Sequence, residues 1–285
     1  MKKFVKSSLV ALTLLLVGCS NNADNKKEDS SNKVVIGSVG SDAQIWKFIA
    51  SSDLAKKEGI EIEVKEIEGG PQLNNATADG SVDVNAFQSL GYLVSYNSDS
   101  KEKLVPVATT YLEPMGIYSE KYQSLDDVKD GSTVAIADNP ANTARALRLI
   151  EDAGLIKLSD DFNNGTGTPS DIVDNPKKLE FKLIDDTTGP RILPDVDLVV
   201  IGNTVAFEGG LNVLTDSLYK ERINKNTKTS INALVTTEKK KDDKTIQKLG
   251  KLYHSQEVTD YIKENFGGTK VDVQEDIKTL WEEVQ

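Results

Sequence analysis

Few side chains in this 285-residue chain are equipped for covalent or metal chemistry, and those few lie far apart. There is one cysteine, Cys19, and one histidine, His254, at opposite ends of the sequence. A disulfide within the chain needs a second cysteine, and a zinc site needs a cluster of ligands that neither end supplies. A nucleophilic thiol needs an electropositive pocket with a base nearby, which an extreme N-terminus does not provide. His254, in "KLYHSQE", reads as a surface helix residue. The chain carries no G-x-S-x-G elbow, Walker A loop, H-E-x-x-H pair or strand-borne G-x-G-x-x-G. In "DDFNNGTGTPSD", Asp161, Asn163 and Gly165 echo a calcium loop, but the closing glutamate is missing. No catalytic residue, metal ligand or cofactor is therefore assigned, and the expected chemistry is non-covalent binding.

Two segments suit binding. In "VAIADNPANTARALRLI" a strand runs into the turn Asp138-Asn139-Pro140, and a helix opens near Asn142. The unpaired N–H groups and positive end of such a helix favour a carboxylate. Arg145, about one turn in, can add a bidentate grip. The competing reading is a capped helix with Arg145 on its exposed face, and the residues alone leave both open. In "GSVDVNAFQSLGYL" a strand ends at Asn85-Ala86-Phe87. Ligands favour the crevice outside the C-terminal ends of parallel strands. There Phe87 and Tyr92 can wall an apolar pocket, or else belong to the core.

Cys19 follows Lys2, Lys3, Lys6 and the apolar run Leu9–Val17. That run is too short for a bilayer span of about 20 residues and suits a secretory signal. Leu16-Val17-Gly18-Cys19 resembles a bacterial lipobox, so residues 1–18 are expected to be removed and Cys19 acylated. Each buried CH₂ contributes roughly 0.8 kcal/mol, and two chains anchor stably. Residues 20–33 contain a single apolar residue, Ala23, and read with Cys19 as a flexible tether. Losing the three signal lysines takes the formal charge from −11 to −14. Such a chain is unsuited to nucleic acid, which requires a basic face. Anionic headgroups should repel it, leaving the lipid as its only membrane contact. The expected location is the cell membrane, on its extracytoplasmic side.

The elements that must position these segments alternate. Strands are expected at Val34–Ser38, in "IEIEVKEI", at Val82–Ala86 and in "LVPVATT", with helices at Ala43–Lys57, Leu73–Ala78 and Ser89–Tyr96 between them. Ser41 or Asp42 is placed to cap the first helix. A second series begins at strand Thr133–Ala137. It continues through helix Asn142–Ala153, strands Leu179–Ile184 and Asp197–Ile201 and a short helix after Asn203, and returns through strand "SINALVTT" to helices Asp243–Ser255 and Gln256–Asn265. This rhythm implies α/β architecture with mostly parallel, helix-covered sheets.

Taken together these residues resemble the NlpA/MetQ family, methionine-binding lipoproteins of bacterial ABC importers. "DVNAFQ", "GIYSEK", "VKDGSTVAI", "NTARALRLIEDAGLIKL", "DIVDNPKKL" and "LYHSQEV" read as family segments in family order. The resemblance implies a two-lobed periplasmic-binding-protein-like fold of type II. Residues 34–112 plus 233–285 would form one lobe and 113–232 the other, with a ligand cleft between. It further implies that Arg145 holds a ligand carboxylate with Asn142 beside it, that Asn232 orients the polar end, and that Phe87 and Tyr92 line the side-chain pocket. Three positions depart from the family pattern. Gly70 stands where a pocket tyrosine is usual, Ser89 replaces a histidine, and Gly202 replaces an asparagine, with Asn203 one residue later. The cleft is therefore expected to be roomier than a methionine site, suiting methionine, a bulkier amino acid or a short peptide. The implied partners are an ABC permease and its ATPase. The alternatives are an extracytoplasmic enzyme or a surface interaction protein on the same scaffold.

If Cys19 carries the anchor, Cys19→Ala should accumulate a longer precursor that takes up no palmitate in metabolic labelling. A variant that is processed normally and stays with the membrane would refute the lipobox.

Overall fold

The computed structural model describes residues 32–222 and 225–285. Cys19, the signal and nearly all of the tether lie outside the described residues. Residues 32–285 form one compact unit. The first run comprises β1 (Lys33–Ser38), α1 (Gly40–Ser51), α2 (Asp53–Lys57), β2 (Glu61–Glu66), α3 (Gly70–Ala78), β3 (Val84–Ser89), α4 (Leu90–Asp99), β4 (Leu104–Thr109) and β5 (Tyr111–Leu112). The second comprises β6 (Met115–Tyr118), β7 (Thr133–Ala137), α5 (Pro140–Asp152), β8 (Lys157–Leu158), β9 (Ile172–Asp174), β10 (Glu180–Ile184), α6 (Gly189–Ile192), β11 (Leu198–Gly202), α7 (Asn203–Glu208) and β12 (Tyr219–Lys220). The chain then returns through β13 (Asn232–Thr237), α8 (Lys244–Tyr253), α9 (Gln256–Asn265), β14 (Val271–Asp272) and α10 (Ile277–Val284).

The long helix expected at 43–57 is two helices. Ser52 is extended (φ −76°, ψ 167°) and its hydroxyl accepts from the Leu54 N–H, capping α2. A serine side chain that satisfies an N-terminal N–H competes with helix continuation. Helix α10 lies beyond the elements expected from sequence; its Leu280 packs with Leu90, Leu93 and Leu104.

Two five-stranded sheets carry the fold, in the orders β2-β1-β3-β13-β4 and β10-β7-β11-β6-β12. Each is mixed. Strands β2, β1 and β3 are parallel, as are β10, β7 and β11, whereas β13 and β6 run against their neighbours. Connectivity explains this. The parallel strands end toward the crossing point between lobes, so a strand entering from that point must run the other way. Both faces of each sheet are covered. Trp46, Ile49, Leu249 and Tyr253 pack on one face of the first sheet, and Leu90, Leu93 and Leu280 on the other. Leu147 and Ile150 belong to one core of the second lobe, and Leu193 and Ala206 to its other.

The first crossing strand is reinforced. β5 pairs antiparallel with β14, so the C-terminal segment straps the hinge. His254 lies beside this strap, not on the surface. Its side chain is 15% exposed, with Nδ1 2.6 Å from Asp272 Oδ1 and Nε2 2.9 Å from the Thr109 carbonyl oxygen. Underneath, Lys270 is 1% exposed and its ammonium donates to Asp42 (3.2 Å), Glu113 (3.1 Å) and the Thr204 hydroxyl (3.0 Å). It also sits 3.9 Å from the Tyr111 ring centroid. Asp42 is thus not a helix cap; it accepts from the Tyr111 hydroxyl at 2.7 and 2.8 Å. Burial pushes the Asp42 carboxyl up, opposed by Lys270. Burial also opposes ionisation of Glu113, but Lys270 and donors from Thr204 and Asn203 outweigh it and hold that carboxyl low.

Removing one partner of a buried charge set typically costs about 3–5 kcal/mol. Urea denaturation of Lys270→Met should show a loss of that size. Leu183→Ser, at a position 52% exposed, should stay within about 0.5 kcal/mol.

Candidate functional site

The N-terminus of α5 forms as its residues dictate. Pro140 opens the helix, and the Asn139 side chain caps it by accepting from the Asn142 N–H at 2.9 Å. The exposed-face reading of Arg145 is set aside by its surroundings, since its side chain is only 17% exposed. Its fork, however, is filled by the protein itself. Nε and Nη2 donate to Glu221 at 3.0 and 2.5 Å, and Nη2 also donates to the Glu113 carbonyl at 2.8 Å. Burial would weaken the guanidinium as a base, but Glu221 more than offsets this and raises its pKa. Only the Nη1 N–H groups are without a partner among the described residues, so a bidentate grip on a ligand requires Glu221 to move.

Asn142 is likewise engaged. Its amide donates to Asp186 Oδ2 at 2.8 Å, and the Asn139 amide donates to the same oxygen at 3.0 Å. Asp186 follows the C-terminal end of β10, where the crevice rule points, and it was not singled out from sequence. Burial pushes its carboxyl up against these two amide bonds, and neighbouring Asp185 and Asp138 add to the rise.

The first lobe supplies the facing wall through α4, which packs on α5. Phe87 and Tyr92 meet edge to face, with ring centroids 5.8 Å apart. Burial raises the Tyr92 phenol pKa, and the charges of Asp186, Asp138 and Asp185 across the lobes raise it further. Ser89 caps α4, accepting from the Tyr92 N–H at 3.2 Å. Asn232 stands opposite Ser89 in the β13–β3 register. It is 8% exposed, yet its side-chain amide makes no hydrogen bond among the described residues.

The expected extra room is not found at Gly70. A Cβ built there would lie 2.3 Å from the Tyr92 hydroxyl and 3.1 Å from the Phe87 ring, so Tyr92 takes up the space that a side chain on residue 70 would need. At Gly202 a Cβ would meet nothing within 4 Å. The Asn203 amide nitrogen donates to Glu113 at 2.8 Å and Thr269 at 2.9 Å, beside the buried charges, while its Oδ1 has no partner among the described residues. Phe87 and Asn232 border a cavity of about 10 Å³ with Trp46, Tyr111 and Tyr253. A larger hollow of about 260 Å³ lies beside the hinge strap against Lys263 and Lys270, and no sequence-derived site residue lines it.

The geometry brings Arg145, Asn142, Phe87, Tyr92 and Gly70 to the facing elements of two lobes and leaves Gly202 and Asn203 nearer the hinge. The residues that sequence reasoning missed are Glu221, Asp186, Glu113 and Lys270. Only Asp186 had an available signal, its place after a parallel strand.

Two α/β lobes, two chain crossings and polar groups gathered where the lobes meet define a two-lobed binding protein. The sequence profile described as NlpA lipoprotein matches residues 34–274, and the chain belongs to that family. It is 33% identical over 276 residues to the D-methionine-binding lipoprotein MetQ of Escherichia coli K12, covering 95% of this chain and 97% of that one. Among solved structures, protein PG110 from Staphylococcus aureus superposes with a TM-score of 0.84 at 37% identity, covering 88% of this chain and all of that one. A nutrient-binding protein from Burkholderia cenocepacia bound to methionine gives 0.80 at 34% identity, covering 84% and 99%.

Because Arg145 is paired internally, Arg145→Ala should destabilise even the ligand-free protein, by about 3 kcal/mol in chemical denaturation. Adding Glu221→Gln should recover part of that loss, since no charge is then stranded.

Proposed function

We propose that this chain is a lipid-anchored substrate-binding protein that captures a small amino-acid-type ligand between its lobes and delivers it to an ABC permease and its ATPase. The anchor is the acylated Cys19, outside the described residues, and the site faces the extracytoplasmic side. The observation that carries this reading is the unfilled bonding capacity at the lobe junction. Asn232 makes no side-chain hydrogen bond among the described residues, and Arg145 keeps free N–H groups on Nη1. Buried polar groups are normally paired, so groups left open at a junction suit a ligand that is bound and released. The ligand carboxylate goes to Arg145, its polar end to Asn232, and its side chain lies against Phe87 and Tyr92. Methionine fits this class, as do a bulkier amino acid and a short peptide. Lobe closure is a hinge motion.

Mass spectrometry of ligand carried through native purification should identify a carboxylate-bearing small molecule. In calorimetry with that molecule, Arg145→Ala should weaken binding by about 2–5 kcal/mol, roughly 30-fold or more. Undiminished affinity would place Arg145 outside the site.

A further inference from the structure

A guanidinium carries five N–H donors, and a carboxylate takes two of them in parallel only along an edge whose donors are both free. Arg145 offers no such edge. Its Nε and Nη2 donate to the two oxygens of Glu221 at 3.0 and 2.5 Å, and Nη2 also donates to the Glu113 carbonyl oxygen at 2.8 Å. The Nε–Nη2 edge is therefore filled, and the Nη1–Nη2 edge has lost one of its two members. Nor is Glu221 a loose side chain that a ligand can push aside. It directly follows β12, which pairs with β6, and its backbone N–H donates to the Met115 carbonyl oxygen at 2.8 Å. Its Oε2 accepts from the Met115 N–H at 3.3 Å, and its side chain is 13% exposed.

We propose that Glu221 sets the affinity of the cleft: it keeps its hold on Arg145 when ligand is bound, so the ligand carboxylate is met by Nη1 alone and against the charge of Glu221. The inference rests on the binding reading above, in which Arg145 receives that carboxylate. Nη1 is the one guanidinium nitrogen of Arg145 without a partner among the described residues. An unpaired arginine would offer two parallel charge-assisted bonds and a full positive charge. Arg145 offers one nitrogen, and its charge is already balanced by a carboxylate on the same guanidinium. A second carboxylate drawn to that group is repelled by the first, since like charges so close disfavour one another. Differences in affinity between related complexes lie mostly in the dissociation rate. The internal acid therefore keeps the ligand exchangeable, which suits a protein that must pass its ligand on.

The test is calorimetric titration of the full-length lipoprotein in detergent with L-methionine and alanyl-methionine, each beside its C-terminal amide, which keeps the shape and removes the charge. Glu221→Gln keeps the side-chain length and one acceptor for Arg145 but carries no charge. At least one free carboxylate should bind this variant about 10- to 100-fold tighter than it binds the wild type, the range for a hydrogen bond to a charged group. The amides should stay within about threefold, and the melting temperature should fall because a buried pair has been broken. A purely structural clamp moves affinity the other way, since a loosened Arg145 weakens the ligand together with the fold. Glu221→Ala serves, with the same expected direction, if the glutamine variant does not fold. No tightening of either carboxylate overturns the proposal, and so does an equal gain for the amides. Arg145→Ala checks the binding reading separately. If it weakens the carboxylates while Glu221→Gln leaves them unchanged, only the role of Glu221 falls. If Arg145→Ala changes no affinity, the carboxylate site falls and this inference with it.

Discussion

A single buried ammonium organises the junction of the two lobes. Lys270 comes from the C-terminal strap, Asp42 from the first helix of one lobe, and Glu113 from the strand crossing into the other. The second lobe closes the circuit when Thr204 donates to Glu113 through its backbone N–H at 3.0 Å and its hydroxyl at 2.7 Å. Charges at this depth are tolerated only when every one is paired and hydrogen-bonded. Hence the ends of four elements must meet at one point, and the crossing strand cannot drift. The Glu113 carbonyl extends this constraint outward, because it receives the Arg145 guanidinium. The orientation of the candidate ligand-binding arginine is thus inherited from the hinge.

The same junction accounts for the character of the sheets and of the cleft. Strands that enter from the crossing must oppose those that end there, so each sheet is mixed. Helices that follow the parallel strands present their N-terminal ends to the junction, where polar side chains collect. One further contact of this kind joins the lobes. Glu208, at the end of α7, accepts from the Ser41 N–H at 3.1 Å. That carboxylate stands where a side chain on Gly40 would project, and Gly40 also has a positive φ of 54°. Position 40 therefore favours glycine, because a side chain there would displace the Glu208 carboxylate and strain the backbone.

How much was legible in sequence depended on the range of the interaction. Thr133–Ala137 and Gln256–Asn265 were read to the residue, because apolar periodicity and flanking turn residues are local signals. The break at Ser52 was missed because a serine inside an otherwise helical pattern does not announce which bond its hydroxyl makes. Asp42 and His254 were misjudged for a different reason. Each has a locally plausible role, as helix cap or surface residue, and each is claimed by partners distant in the chain, Lys270 and Thr109 respectively. Arg145 was found, but Glu221 was not, since nothing in "YKERINK" marks one acid among 45 as its partner.

The expected enlargement at Gly70 shows why counting side-chain volume position by position misleads. Removing a bulky residue creates room only if its neighbours stay where they are, and a closely packed interior seldom leaves such a void. Here Tyr92, five residues beyond Phe87 on the next helix, lies over the glycine with its hydroxyl 2.3 Å from the notional Cβ. The aromatic wall is therefore preserved, but it is delivered from a different element and along a different direction. Its hydroxyl stands over Gly70 at the start of α3, where it feels the charge of Asp186 in the opposite lobe. A deletion of volume at one position has become a change in which polar groups the cleft presents.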